Sequence, residues 1–366
     1  MNVFIMDKTV LTGEGMEHRS LNWVMAHKKF VKPDGEFYVV EKDYFGFFPL
    51  QDKKYKIKDL SRKTEEELDS MSKHYDMAFF TDTYGIYYNE WYRDTNQTEH
   101  SEKVYGGLDS MDLQFIEKMV SQNKMVISEF NFFASPTPTD IRTKAETMLG
   151  VQWSGWTGRY FKSLDTINNP DLPRWVIHLY KQQHNNTWDF KGSGIVFVHE
   201  DNTIAILEEQ RHLNKALPEV TTEAAIAQKF GVVERIDYPF WFDITFPTDS
   251  KNQIISWNNI YPNTKGDSIL SRYNIPSKFP AAIEDYKTNL FYYFALDFSD
   301  NPIPARFIRF KGGKYFEMML LDLQDQSNRN SFFYTYYLPM TSRILNSYYD
   351  KLCEANKDET RKLAWQ

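Results

Sequence analysis

The chain is almost without cysteine: among its 366 residues the single one is Cys353. An intramolecular disulfide is therefore excluded, and so is a metal site built from two or more thiolates. This shortage fits a reducing compartment, and it equally fits an exported protein that uses no disulfides. Two locations stay open on this evidence: the cytoplasm, or an extracytoplasmic position for a domain excised from its anchor. We expect the chain as given to be soluble.

Long apolar runs and basic clusters are scarce as well. No stretch of 18 apolar residues occurs, and the N-terminus has no signal-peptide core, so we expect no direct membrane insertion of this segment. The net charge is −7 with a pI near 5.7, and the basic residues are scattered. That balance argues against nucleic acid as a partner. Neither G-x-G-x-x-G nor a P-loop is present, and we expect no cofactor.

Aromatic residues, in contrast, are abundant, with 28 Phe, 23 Tyr and 9 Trp making up 16% of the chain. One interpretation is a thick aromatic core whose tyrosine hydroxyls reach the surface. The other is a platform on which sugars or other flat ligands stack.

The chain is organised around a predicted βαβ unit. Apolar runs at Met77–Phe80 and Met125–Ser128 are typical of buried parallel strands, and apolar residues between them recur at helical spacing. The sequence thus predicts an α/β fold with a mostly parallel central sheet and helices on both faces. The strands are expected near 3–6, 37–40, 77–81, 125–129 and 291–296. Residues 43–49 are interpreted as an ordered loop. We expect one elaborated domain, 1–366, with 195–285 as a β-rich insertion.

Several segments resemble one known superfold. They are DTYG after the first central strand, YGGL before the helix, and KMVISEFNFFASPT across the second strand, followed later by GSGIVFVH, YPFWFDIT and LFYYFALD. This order is similar to the class I glutamine amidotransferase-like superfold, especially its trehalose-utilisation-like (ThuA-like) branch and related domains of some β-galactosidases. The resemblance implies a flavodoxin-like arrangement.

The resemblance does not extend to amidotransferase chemistry. That reaction needs a cysteine nucleophile on a tight strand-to-helix turn, together with a His-Glu pair. Here Ile127 is followed by Ser128-Glu129-Phe130-Asn131, and Cys353 lies far away in the last helical stretch. We therefore expect no glutamine hydrolysis.

Candidate site residues follow from the predicted strand ends. In open α/β sheets ligands bind at the carboxyl ends of the strands, and a segment with Gly, Trp and Arg, interpreted as a ligand-binding loop, lies shortly beyond. Eight side chains are predicted to line one cleft: Asp82, Tyr84, Glu90, Glu129, Asn131, Trp153, Trp156 and Arg159. Glu129 is predicted to be the main polar contact. Its counter-charge is predicted to be Arg159 or Arg142. Of these two, Arg142 is expected in the first turn of a helix that follows 135–140.

Two function classes remain open. The first is binding of a carbohydrate or a protein partner in this aromatic, carboxylate-lined cleft. The second is a glycoside or related hydrolase using Asp82 with Glu129, or Glu90 with Glu129, which requires the two carboxyl groups to lie about 5–10 Å apart. His18 is interpreted as a satisfied hydrogen-bonding residue, or else as a base or metal ligand. No metal-binding spacing links these residues, and we expect no metal. The oligomeric state stays open.

Overall fold

The computed structural model describes residues 1–92, 101–303 and 329–364. Its strands are β1 (Val3–Asp7), β2 (Phe45–Pro49), β3 (Tyr55–Lys58), β4 (Met77–Asp82), β5 (Ile86–Tyr87), β6 (Lys103–Tyr105), β7 (Met125–Glu129), β8 (Val151–Phe161), β9 (Gly194–His199), β10 (Ile204–Glu208), β11 (Leu213–Thr221), β12 (Arg235–Asp237), β13 (Trp241–Pro247), β14 (Asn252–Pro262), β15 (Lys278–Asp285) and β16 (Phe291–Phe294). Its helices are α1 (Met16–His27), α2 (Glu65–His74), α3 (Tyr88–Tyr92), α4 (Ser110–Ser121), α5 (Thr139–Leu149), α6 (Arg174–Gln183), α7 (Glu209–His212), α8 (Ala224–Phe230), α9 (Thr264–Arg272), α10 (Arg329–Phe332) and α11 (Leu338–Ala364). A 3-10 turn at Gln51–Lys53 precedes β3, and a π-helical turn at Phe333–Tyr337 joins the last two helices.

A ten-stranded mixed sheet forms the centre, in the order β12-β11-β14-β15-β16-β7-β4-β1-β2-β3. The core strands β16, β7, β4, β1 and β2 run parallel to their neighbours within this group. The remaining five strands extend the sheet in antiparallel pairing on both sides. The predicted α/β class with a parallel core is thereby confirmed.

A second, antiparallel sheet has the order β10-β9-β8-β13, and β5 pairs with β6 in a small ribbon. The segment 195–285 is rich in strands, as expected. Its strands divide between the two larger sheets. Strands β11, β12, β14 and β15 belong to the central sheet, whereas β9, which begins one residue before this segment, β10 and β13 belong to the second. That this segment is an insertion in a single domain stays a prediction.

The parallel core is buried on both faces because successive side chains of a strand point to opposite sides. In β1, Val3 and Ile5 enter one apolar layer, whereas Phe4 and Met6 enter the other. Helices α1 and α11 contact each other, and α4 contacts both α2 and α5. Within the described ranges, no helix is both long enough and apolar enough to span a membrane.

The second strand of the parallel core was predicted at the wrong position. Residues 37–40 form no strand beyond a single bridge between Val31 and Phe37. The hydroxyl of Tyr38 instead accepts a hydrogen bond from the backbone N–H of Val3. The strand is β2, in the stretch interpreted as a loop. There Gly46, at φ 142°, comes so close to Asp7 that a Cβ would lie 1.6 Å from its carbonyl oxygen.

Helix α2 begins with a capping box, and this motif provides a test of local stability. The Thr64 hydroxyl accepts a hydrogen bond from the Glu67 N–H (3.2 Å), and the Thr64 N–H donates to the Glu67 carboxylate (2.9 Å). We expect Thr64→Ala to lower the free energy of unfolding by about 1 kcal/mol, measured by urea denaturation. The control is Thr143→Ala in α5, an exposed mid-helix threonine whose hydroxyl only bonds the carbonyl of Thr139. Equal losses in the two variants would contradict a capping role.

Candidate functional site

The parallel core brings acidic residues to one edge of the sheet. Asp7, Asp82 and Glu129 are the last residues of three adjacent strands, β1, β4 and β7. Asp297 follows β16, the next parallel strand in the sheet. Because these strands are parallel, their carboxyl ends meet at the same edge. We call this region the carboxyl edge.

Asp82 is bonded to two of the predicted site residues. One carboxyl oxygen accepts a hydrogen bond from the Tyr84 N–H at 2.7 Å, and the other accepts a longer one from the Asn131 amide at 3.4 Å. Burial raises the pKa of Asp82 to about 7, and the nearby charge of Asp7 adds to this rise. Near neutral pH this carboxyl group is therefore present in both protonated and ionised forms.

Glu129 is fully buried, and its carboxyl group is occupied by protein contacts. It accepts hydrogen bonds from the Ser299 N–H (3.0 Å) and the Ser299 hydroxyl (2.8 Å), and that hydroxyl also lies 2.9 Å from the Tyr337 hydroxyl. Burial raises the pKa of Glu129 well above its ordinary value. The structure thus gives Glu129 hydroxyl and amide partners in place of the predicted arginine.

Tyr84 and Glu90 lie together just beyond β4. The rings of Tyr84 and Tyr87 are 4.9 Å apart, and the Glu90 carboxylate accepts a hydrogen bond from the Tyr87 N–H at 3.1 Å. Burial raises the pKa of both Tyr84 and Glu90, and the Glu90 charge raises that of Tyr84 further. The structure therefore groups these residues with Asp82 and Asn131.

Five charged residues of the carboxyl edge were missed by the sequence reasoning: Asp7, Glu17, Asp297, Asp300 and Arg329. Burial raises the pKa of Glu17, as do the charges of Asp7, Asp300 and Asp82. Burial and the neighbouring Asp300 likewise raise the pKa of Asp297. Arg329 pairs with the Asp300 carboxylate at 3.3 Å and donates to the Asp297 carbonyl at 2.9 Å. Asp297 follows a predicted strand, so the rule that selected Asp82 would have found it too.

His18 is held by two buried hydrogen bonds. Its Nδ1 lies 2.5 Å from a carboxyl oxygen of Asp7, and its Nε2 lies 2.8 Å from the Val40 carbonyl oxygen. Both ring nitrogens are thus engaged, as the interpretation of a satisfied histidine predicts. Among the described residues, no group of three or more His, Cys, Asp or Glu side chains is arranged to hold a metal ion.

The predicted Gly/Trp/Arg loop is wrong, because residues 151–161 form the antiparallel strand β8. Trp153 and Trp156 are only 7% and 5% exposed, and the Trp153 indole N–H donates to the Trp156 carbonyl at 3.0 Å. Their rings are therefore core and offer no open stacking face. The predicted pairing of Arg142 with Glu129 is wrong as well, since Arg142 pairs with Glu200 at 2.7 Å and lies over the Trp153 ring.

Arg159, also in β8, lies close to the carboxyl edge. Its guanidinium lies 5.4 Å from the centre of the Trp241 ring, which stacks on Phe130, the residue after Glu129. Burial lowers the pKa of Arg159, while the charges of Asp297 and Asp300 raise it. It is thus within electrostatic range of the acidic residues, packed among aromatic rings.

The fold and this edge define an α/β protein with a carboxyl-rich site at the ends of its parallel strands. No protein-family model matches the sequence, and no curated protein matches it. A solved structure from Bacteroides uniformis, described as a ThuA-like protein, is 9% identical, covers 81% of this chain and 82% of its own, and has a TM-score of 0.35. An identity of 9% and a TM-score of 0.35 carry no functional argument, so the function has to be inferred from the residues of this chain.

Proposed function

We propose that the carboxyl edge binds a neutral, polyhydroxylated ligand of the carbohydrate class. The observation that supports this most is Asp82, a carboxyl group with a pKa near 7 that is 9% exposed beside the Asn131 amide. A carboxyl group that exchanges between both forms donates a hydrogen bond in one and accepts in the other. Sugar hydroxyls require both kinds of partner.

The side chains nearest to Asp82 extend this set without adding a cation, since Arg329 of the carboxyl edge is already paired with Asp300. Asn131 supplies an amide, while Tyr84, Tyr87 and Glu90 are partly accessible. Burial raises the pKa of Glu90 as it raises that of Asp82, and so opposes a full negative charge on either carboxyl group. A neutral ligand is therefore better matched to the set than an anion. Because most of these residues come from one short segment, 82–90, a small ligand fits better than a protein partner.

The proposal is tested by isothermal titration calorimetry with mono- and oligosaccharides. We expect Tyr84→Phe and Asp82→Asn each to weaken binding about tenfold, because the first removes a hydroxyl and the second replaces a carboxyl oxygen by an amide NH2 that can only donate. The matched control is Tyr286→Phe, which removes the hydroxyl of a 47% exposed tyrosine in the turn between β15 and β16, at the opposite end of the parallel strands. No binding of any saccharide by the wild type, or equal loss in the control, would refute the proposal.

Glycoside hydrolysis is the second candidate, and the pKa of Asp82 is the observation that favours it. A carboxyl group with a pKa near the working pH is suited to act as a general acid. Both predicted pairs also use Glu129, which has no exposed surface in this structure and is bonded to Ser299. Assays with nitrophenyl glycosides test this candidate. Catalysis by Asp82 requires Asp82→Asn to lower kcat by about 100-fold or more, with KM little changed.

A further inference from the structure

A second candidate site lies in a cleft of about 660 Å³ beside the edge strand β3. Its walls come from β3 and the turn after it, from β6, and from the glycine-containing loop that leads into α4. None of the sequence-predicted site residues lines this cleft. Its volume is in the range of small-molecule sites in proteins.

The cleft lies against a basic segment of an acidic protein. Residues 51–63 contain six Lys or Arg and two Asp, a net charge of +4, whereas the whole chain carries −7. The sequence reasoning described the basic residues as scattered and overlooked this concentration. A local excess of one charge in a concave region attracts ligands of the opposite charge.

Two cations that line the cleft have no acidic partner in the part of the chain that the structure describes. Arg62 and Lys103 are exposed, and neither takes part in an ion pair among the described residues. Partial burial and the nearby charge of Lys8 lower the pKa of Lys103. Lys8 itself is neutralised by Asp112 at 2.5 Å. An anionic ligand would stabilise the charged form of Lys103, whose ammonium donates to the Gly106 carbonyl oxygen at 3.1 Å.

The acidic residues of the cleft, in contrast, are already engaged by the protein. The Asp59 carboxylate accepts hydrogen bonds from the Ser61 N–H (3.2 Å) and the Ser61 hydroxyl (2.7 Å). Asp109 caps α4 by accepting from the backbone N–H groups of Met111 and Asp112. Their oxygens thus accept hydrogen bonds from the protein, and the groups that can donate to an anion are the Arg62 and Lys103 cations.

An apolar wall stands beside these cations. Tyr55 is 36% exposed and stacks on Phe47 with ring centres 4.7 Å apart, and Ile57 is 39% exposed. Tyr105 also lines the cleft, and its ring centre is 6.3 Å from that of Phe47. A tyrosine held by a buried ring presents a flat face whose position is already fixed, so little entropy is lost when a ring packs on it.

We propose that this cleft binds an anionic saccharide, independently of the ligand of the carboxyl edge. The sugar ring packs against Tyr55 and Ile57. The anionic group accepts hydrogen bonds from the Arg62 guanidinium and the Lys103 ammonium. Guanidinium groups match the planar geometry of a carboxylate, so a uronic acid is the simplest ligand of this kind.

Titration calorimetry with oligogalacturonate, a neutral galacto-oligosaccharide of the same length, and inorganic phosphate tests the proposal. We expect oligogalacturonate to bind, and Arg62→Ala, Lys103→Ala and Tyr55→Ala each to weaken it about tenfold, the loss typical of one charge-assisted hydrogen bond or one aromatic contact. The control is Lys54→Ala/Lys56→Ala, which removes two exposed positive charges from the same segment outside the cleft lining. Circular dichroism verifies that each variant is folded.

Three results would overturn the proposal. Binding of the neutral oligosaccharide with equal affinity and an equal loss in Tyr55→Ala would show that the charges of this cleft are not used. Equal affinity for phosphate alone would show that the sugar ring is not used. If the control variant bound oligogalacturonate as weakly as Arg62→Ala, binding would depend on the total positive charge of the segment and not on this cleft. Binding at this cleft is measured by the loss in Arg62→Ala, and binding at the carboxyl edge by the loss in Tyr84→Phe, so a failure at one site and a failure at the other are distinguishable.

Discussion

Replacing Lys8 by methionine is expected to lower the free energy of unfolding by about 3–5 kcal/mol, the usual effect of removing one partner of a buried ion pair. Lys8 is 1% exposed, and its ammonium lies 2.5 Å from the Asp112 carboxylate and 2.8 Å from the Gly107 carbonyl oxygen. Methionine fills a similar volume but leaves the fully buried Asp112 without its cation. Urea denaturation at neutral pH measures the effect.

The double variant Lys8→Met/Asp112→Leu separates the cost of an unpaired charge from the value of the pair. Because it removes both charges, we expect it to recover much of the lost stability, with a coupling energy of at least about 1 kcal/mol. Lys54→Met, at an exposed position outside the cleft lining, serves as the control and should change little. If Lys8→Met were as stable as this control, the pair would contribute nothing to the fold.

Asp82 is expected to make the protein less stable as the pH rises from about 4 to about 7. Its pKa is about 7 in the folded protein and 3.8 ordinarily. Between those values the unfolded chain releases a proton that the folded protein retains, so rising pH favours unfolding. Roughly three pKa units at about 1.4 kcal/mol each give a penalty of about 4 kcal/mol, complete above pH 7. Asp243, buried with a pKa also raised to about 7, contributes in the same direction.

Asp82→Asn should remove this share of the pH dependence. We expect the variant to differ least from the wild type near pH 4, where Asp82 is protonated in the folded protein and only about half ionised in the unfolded chain, and to be more stable at pH 8. Thermal or urea unfolding from pH 4 to 8 measures the two slopes. Asp34→Asn, at an exposed turn position, is the control. Parallel stability curves for wild type and Asp82→Asn would show that Asp82 ionises normally in the fold.

The parallel core could be predicted because its strands are buried on both faces and are therefore continuous apolar runs, as in β4 and β7. The position of the second strand could not be predicted, because two adjacent segments, 37–40 and 43–49, are both rich in aromatic residues. What separates them is tertiary: the Tyr38 hydroxyl binds the start of β1, and Gly46 permits the close approach to Asp7. Local sequence contains neither contact.

Only part of the candidate site could be predicted, because the rest depends on tertiary contacts as well. Residues at strand ends, such as Asp82 and Asn131, follow from topology alone. Glu17 and Arg329 lie on helices, and only the packing of those helices places their charges near the edge. The glycines around Trp156 suggested a loop. In the structure, a Cβ at position 158 would lie only 2.5 Å from the Phe242 ring, which explains the glycine there. The sequence does not distinguish a glycine that makes room for a neighbouring ring from a glycine that makes room for a ligand.

The position of β16 between β7 and β15 has a consequence for the order in which the chain can fold during translation. Strand β7 is complete at Glu129, but its partner on one side begins only at Phe291. At 5–20 residues per second, a ribosome needs roughly 10–30 s to make the chain between them. Throughout that interval the nascent protein carries an unpaired, apolar strand edge, the feature most prone to pair with another molecule. The parallel core is thus a late product of synthesis, even though most of its strands are made early.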